Sequence, residues 1–206
     1  QVLHTDNTTP FVYDLMQLLS QMAQAGCDYV VMEVSSFGLV QHRIGPIHFH
    51  AAVFTNLTQD HLDYHKTMEN YYQAKKMLFE RCDFAIINTD DAYGERLMQE
   101  VTCDRYAYGS KHTADYYADA IKLKASGTSF WFCYGEKSYP ITMRMAGMFN
   151  VANAVAAMAV CLELGFSISR IQPVMEACTG VRGRCELIPT GKDFSVICDY
   201  AHTPDA

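Results

Sequence analysis

The sequence contains no C-x-x-C pair, although it holds eight cysteines, and these fall at irregular intervals through apolar segments. That pattern excludes a zinc ribbon or a disulfide framework and points to buried, reduced thiols. Clusters of Lys and Arg are also missing, and the net charge is −7, so the electrostatic footprint of a nucleic-acid-binding protein is absent. No apolar run nears the roughly 20 residues that cross a bilayer, and no signal peptide opens the chain. These absences predict a cytoplasmic protein with neither a nucleic-acid nor a membrane partner. Neither G-x-x-x-x-G-K-[ST] nor G-x-G-x-x-G occurs, so these residues include no phosphate cradle of their own. Ser35 and Ser36 lack the following glycine of a nucleophile elbow. There is no internal repeat and no low-complexity segment.

What is present is enough apolar residue, 50% of the chain, to bury the core of one sizeable domain, with or without an appendage. Thr9-Pro10 reads as an N-cap followed by the first helical position, and Phe11, Leu15, Leu18, Leu19 and Met22 continue at helical spacing, predicting a helix over 10–25. The continuous apolar run 28–34 predicts a strand buried on both faces, with Glu33 at its carboxyl end. Further strands are expected at 51–55, 84–88 and 105–108, alternating with helices at 68–81 and 91–100. That alternation defines an α/β protein with a mostly parallel, doubly wound sheet. Three runs at 116–124, 128–134 and 137–143 are separated by Ser126-Gly127 and Gly135-Glu136, which predicts antiparallel hairpins in a small subsidiary sheet. An alanine-rich helix over 147–165, a helix over 168–178 and strands at 186–189 and 194–199 complete the pattern.

Open α/β sheets carry their chemistry at the carboxyl ends of their strands. Here the strand at 51–55 runs into a loop holding Asn56, Asp60, His61, Asp63 and His65, followed by the helix of Lys75 and Lys76. In a parallel sheet Glu33, His61 and Lys75 converge. Glu33 and His61 suit a divalent cation, but an ammonium beside one is unfavourable. His61 and His65 also form H-x-x-x-H, the spacing of a zinc site on one helical face, although Leu62 stands where a zinc peptidase needs Glu. Asn150 and Asn153 lie one turn apart near a helix start, where amides either cap the helix or read a ligand edge.

Five ordered runs, DNTTP (6–10), MEVSSFGLVQHRIG (32–45), VFTNLTQDHLDYHKTMENYYQAKKMLF (53–79), FNVANAVAA (149–157) and DYAHTPDA (199–206), closely resemble the Mur ligases of peptidoglycan synthesis. The resemblance implies a central ATP-binding domain over 1–180, with the junction and first strands of a C-terminal ligase domain over 181–206. It implies an ATP-dependent ligase that adds a diamino acid to UDP-MurNAc-L-Ala-D-Glu through an acyl phosphate, with ATP and Mg²⁺ as cofactors. The enzyme is expected to be a monomer. Lys75 is then the lysine that CO₂ converts to a carbamate, so that an anion joins Glu33 and His61 in holding Mg²⁺. Thr8, Thr9, Ser35, Gln41 and Arg43 are implied to surround the sugar nucleotide and its dipeptide. Asn150 and Asn153 would face adenine, with Arg184, Asp199 and His202 near the nucleotide at the domain junction.

Departures accompany the resemblance. Val181-Arg-Gly-Arg-Cys185 stands where the family usually has V-P-G-R-M. A glycine-rich ATP loop would precede Gln1 and a further domain would follow Ala206, so the chain is expected to be a piece of a longer enzyme, inactive alone. Cyanophycin and folylpolyglutamate synthetases share the ATP machinery and remain alternatives, although the DNTTP and SSFGLVQHR segments favour a muropeptide substrate. A binding fragment without turnover and a zinc hydrolase are the others.

Overall fold

In the computed structural model, residues 5–194 and 196–201 are described, and His202 lies outside them. The elements run α1 Val12–Gln24, α2 Ser36–Val40, β1 Phe49–Phe54, α3 Leu62–His65, α4 Met68–Lys76 with a 3-10 turn Met77–Glu80, β2 Cys82–Asn88, α5 Ala92–Glu100 and β3 Asp104–Gly109. They continue through β4 Tyr116–Lys124, β5 Gly127–Tyr134, β6 Lys137–Met143, α6 Met148–Glu163, α7 Ile168–Ala177, β7 Glu186–Ile188 and β8 Val196–Cys198. Strands β1 to β6 form one mixed, mostly parallel sheet in chain order, and β7 pairs with β8 in a separate antiparallel ribbon. Strand β3 pairs parallel with β4, whereas β4–β5 and β5–β6 are antiparallel. The three hairpin runs are therefore the edge of the main sheet rather than a subsidiary one. The small independent sheet is β7–β8.

One expected strand is missing. Residues 28–34 belong to no ladder, and Val31 is 97% exposed. An apolar β-branched run becomes a strand only where neighbours pair its backbone and cover its faces, and none of the described strands does so. Glu33 consequently sits in solvent and carries no burial cost. The first helix also starts later than expected, with Phe11 at the N-cap and no side-chain cap. Thr9 is instead fully buried and bonded elsewhere. Two short helices, α2 and α3, occupy stretches expected to be loop.

The chain divides into two compact units, one of Gln1–Ala52, Gln59–Phe84 and Val101–Cys103, the other of Val53–Thr58, Ala85–Glu100 and Asp104–Ala206. In the first, Leu15, Leu39, Ile44, Tyr72 and Phe79 are buried. In the second, α6 buries Val151, Ala154, Val155, Met158 and Ala159, a stripe at i, i+3, i+4, i+7 and i+8 that lies on β3 and β4. Alanines on that stripe let the helix axis approach the sheet closely.

The turn from β2 into α5 is set by Asp91. One carboxylate oxygen accepts the Tyr93 and Gly94 amides at 2.8 and 3.1 Å, and the other accepts the Leu57 amide at 3.0 Å. A Cβ on Gly94 would stand 1.8 Å from the Asn88 carbonyl oxygen, so only glycine permits this approach. We expect Gly94→Ala to lower stability by about 3 kcal/mol, because backbone must move to relieve the overlap. The midpoint of urea unfolding measures it, and an unchanged midpoint would contradict the packing.

Candidate active site

In the first unit a threonine organises one half of the site. The Thr9 hydroxyl donates to the Glu33 carbonyl at 3.2 Å and accepts the Ser35 amide at 2.9 Å, while its Cβ and methyl lie where a Gly38 side chain would begin, 2.8 Å away. Ser35 caps α2 by accepting the Gly38 amide at 3.0 Å. Arg43 donates to the Thr9 carbonyl at 3.0 Å and to Gln41 Oε1 at 2.8 Å, with its guanidinium 4.3 Å from the Phe11 ring centre. Thr9, Ser35, Gln41 and Arg43, far apart in sequence, thus form one connected network. Thr8 is exposed beside it. The Thr9 hydroxyl is occupied by backbone on both sides, so its direct contribution is to shape.

The other half lies around α3 and α4. His61 adopts a left-handed conformation, φ 55°, where its amide donates to Asp60 Oδ1 at 2.7 Å and its Nδ1 lies 3.4 Å from the same oxygen. Such a backbone is disfavoured for a residue with a Cβ, by about 1 kcal/mol, and marks a position held for a reason. The ring stands edge-on to Phe37 and Tyr71, at 5.1 and 6.0 Å between centres. Helix α4 begins at Thr67, whose hydroxyl accepts the Asn70 amide at 3.1 Å, and buries Tyr71, Tyr72 and Ala74. That burial turns Lys75 inward until its Nζ is 5.2 Å from the Tyr71 ring centre. Desolvation holds the Lys75 ammonium below the usual lysine range, and the charges of Glu33 and Asp60 work against that shift. Glu33, Asp60 and Lys75 therefore sense one another, as the sequence expected of Glu33 and Lys75. Asp60 was not singled out there, although its place beside His61 was the available signal.

His65 separates from this group. It is buried, its Nε2 is 2.9 Å from Ser36 Oγ, and its ring stacks on Tyr71 at 4.9 Å. Among the described residues no three His, Cys, Asp or Glu side chains are grouped to hold a metal ion, so the zinc reading gains no support. A Mg²⁺ ion is a different case, because it takes one or two protein carboxylates and keeps water or phosphate for the rest. Glu33 and Asp60, the carboxylates that act on Lys75, suit that demand.

The residues expected to face a nucleotide lie in the second unit. A cavity of about 460 Å³ is lined by Arg144, Asn150, Arg182 and Arg184, with Glu186 as the acidic residue of its lining. The Asn150 amide donates to the Ala146 carbonyl at 2.7 Å, which is capping geometry, but the residue still faces the cavity. Asn153 is exposed one turn on, outside this lining. The Arg184 guanidinium lies 5.0 Å from the Tyr200 ring centre. Asp199 supports the turn instead of lining the cavity, accepting the Cys185 and Ala201 amides at 2.6 Å each. Arg144 and Arg182 were missed by sequence reasoning. The departure from proline at Arg182 was a readable signal, whereas nothing local distinguished Arg144.

Residues 1–161 match the family model described as the Mur ligase middle domain, and the chain belongs to that family. It is 43% identical over 205 residues to UDP-N-acetylmuramoyl-L-alanyl-D-glutamate–2,6-diaminopimelate ligase 1 of Clostridium acetobutylicum, which covers 98% of this chain and 42% of that protein. The corresponding ligase of Syntrophomonas wolfei is 43% identical over 204 residues, covering 97% of this chain and 42% of its own length. A solved structure of a UDP-N-acetylmuramoyl-L-alanyl-D-glutamate–2,6-diaminopimelate ligase superposes with a TM-score of 0.82 at 31% identity, over 93% of this chain and 41% of that one. The chain thus spans about two-fifths of the length of the curated relatives it matches.

Burial holds the His65 imidazole below its usual value of 6.5, with His61 and Lys75 adding to the effect and Asp63 opposing it. The unfolded chain therefore takes up this proton at higher pH than the folded one. Stability from neutral His65 is full above pH 6.5 and is lost as pH falls through the lowered folded value. Between about pH 7 and 5, urea midpoints should fall more steeply in the native chain than in His65→Gln, and equal slopes would contradict the burial.

Proposed function

We propose that this chain is the middle part, 1–180, and the following junction, 181–206, of an ATP-dependent ligase that joins diaminopimelate to UDP-N-acetylmuramoyl-L-alanyl-D-glutamate in peptidoglycan synthesis. The observation that carries the reading is Lys75, a half-buried lysine with a depressed pKa set toward Glu33 and Asp60. The names of relatives at 43% identity supply the substrate class.

The lysine's environment favours carbamylation. Desolvation raises the share of neutral amine, whose nitrogen lone pair adds to CO₂ with loss of a proton, leaving an anion in place of a cation. That anion beside Glu33 and Asp60 creates a concentration of negative charge that a divalent cation relieves. Mg²⁺, when bound by Glu33, His61 and carbamylated Lys75, supplies neutralisation of the ATP γ-phosphate. The Thr9, Ser35, Gln41 and Arg43 network, with Thr8 beside it, binds the muropeptide. The arginine-lined cavity holds the nucleotide, with Asn150 toward adenine and Arg184 toward phosphate, Asp199 fixing the turn that carries Arg184, and Asn153 reaching adenine from outside the lining. The muropeptide's terminal carboxylate attacks phosphorus and ADP leaves. The amine of diaminopimelate then attacks the acyl carbon, and phosphate departs with its bonding pair. The enzyme works as a monomer in the cytoplasm, where ATP and sugar nucleotides meet; among the described residues no helix is long and apolar enough to cross a membrane.

In the whole protein that carries this chain, phosphate release from ATP should require the UDP-muropeptide and diaminopimelate together, and an equal rate with L-lysine would overturn the choice of diamino acid. Lys75→Ala should cut that rate by about a thousandfold, the scale of losing a group that stabilises transition-state charge, and added formate should restore part of it. Full activity in that variant would refute the carbamate. Arg43→Ala should weaken muropeptide binding by about 2 kcal/mol, a roughly thirtyfold rise in Kd, and leave ATP binding unchanged. Calorimetric titration with each ligand distinguishes the two, and equal losses would contradict the assignment.

A further inference from the structure

Two of the cysteines stand together. Cys82 opens β2, Cys103 ends the loop between α5 and β3, and their sulfurs are 3.7 Å apart. The Cys82 thiol also lies 3.8 Å from the Phe79 carbonyl, at the 3-10 turn that continues α4 beyond Lys75. Both residues belong to the first unit. A disulfide requires a sulfur separation of about 2.05 Å, so closure needs an approach of under ~2 Å.

The pair is also asymmetric. Cys82 is buried and Cys103 is partly exposed, so a reagent in solution meets Cys103 first. Burial, with Cys103 as neighbour, pushes the Cys82 thiol up to about 12, which keeps it protonated and unreactive until its partner has been modified. We propose that Cys82 and Cys103 form a reversible dithiol–disulfide pair, a modification site oxidised by low-molecular-weight disulfides.

The chemistry balances in two exchanges. The Cys103 thiolate attacks one sulfur of the small disulfide, the new S–S bond forms, and one small thiolate leaves with the electron pair of the broken bond. Cys82 then gives up its proton to solvent and attacks the Cys103 sulfur, expelling the second small thiolate. Two protein thiols have lost two hydrogens and two electrons, and one small disulfide has become two thiols. Closure takes the Cys82 S–H donor from the Phe79 carbonyl, so the oxidation state is felt at the end of the helix that carries Lys75. It also cross-links positions 21 apart in the chain, which restricts the unfolded state.

The experiment treats the native chain with glutathione disulfide, then alkylates it and maps it without reduction. The expected product has lost the mass of two hydrogens, yields one cross-linked peptide pair joining Cys82 to Cys103, melts about 5 to 10 °C higher, and reverts with dithiothreitol. Cys82→Ala should instead trap one stable glutathione on Cys103. A persistent glutathione adduct on Cys103 of the native chain, an unmodified Cys103, or a cross-link between other cysteines would overturn the proposal. The native-chain map decides this even if the variant does not fold.

Discussion

The hydroxyl of Thr9, shut away from solvent, holds the Glu33–Ser35 backbone in place by donating to one peptide group and accepting from the other. Among the described residues that segment pairs with no strand, and the threonine's two hydrogen bonds are what tie it down. Its side chain needs the space left by Gly38, and its carbonyl in turn receives Arg43. A buried hydroxyl with both roles satisfied is worth more in specificity than in net energy, since losing either partner leaves a polar group stranded. The start of α2, the direction of Arg43 and the position of Glu33 all follow from it.

The second constraint is electrostatic and comes from packing. Helix α4 is short, and it buries two tyrosines on the face next to Lys75. Lysine rarely tolerates this, and here the penalty appears as a depressed pKa. The charges of Glu33 and Asp60 oppose that shift without being its largest cause. His65, a few residues away, meets the same apolar surroundings with a different outcome. Its hydrogen bond to Ser36 and its stacking on Tyr71 make it part of the scaffold.

In the second unit the same economy is visible in α6. Its alanine stripe brings the helix against β3 and β4, and its first turn carries Asn150 to the cavity edge. The arginines around that cavity come from separate stretches of chain, so their concentration of positive charge within an acidic protein is a product of folding. Asp199 contributes by holding two backbone amides, and thereby shapes the turn on which Arg184 sits.

Most of the helices and strands could be read from spacing because hydrophobic period is a local property: β4, β6 and α7 fall within a residue of expectation. The family that residues 1–161 match was legible as well, from motifs that include Glu33, His61, Lys75, Thr9 and Arg43. Three things were not. Residues 28–34 have every local mark of a buried strand, yet burial and pairing depend on neighbours, and there none is buried and most are exposed. The hairpins at 116–143 join the main sheet because register and edge are decided by the strand already present, β3. Thr9 was read as a helix cap from its proline, but its hydroxyl is taken by peptide groups 24 and 26 residues distant. Sequence alone thus determined most of the segments that are helical or extended, and it named the residues expected to carry chemistry. Tertiary structure decided which of those residues meet, because hydrogen-bond satisfaction and desolvation are set by partners far away along the chain.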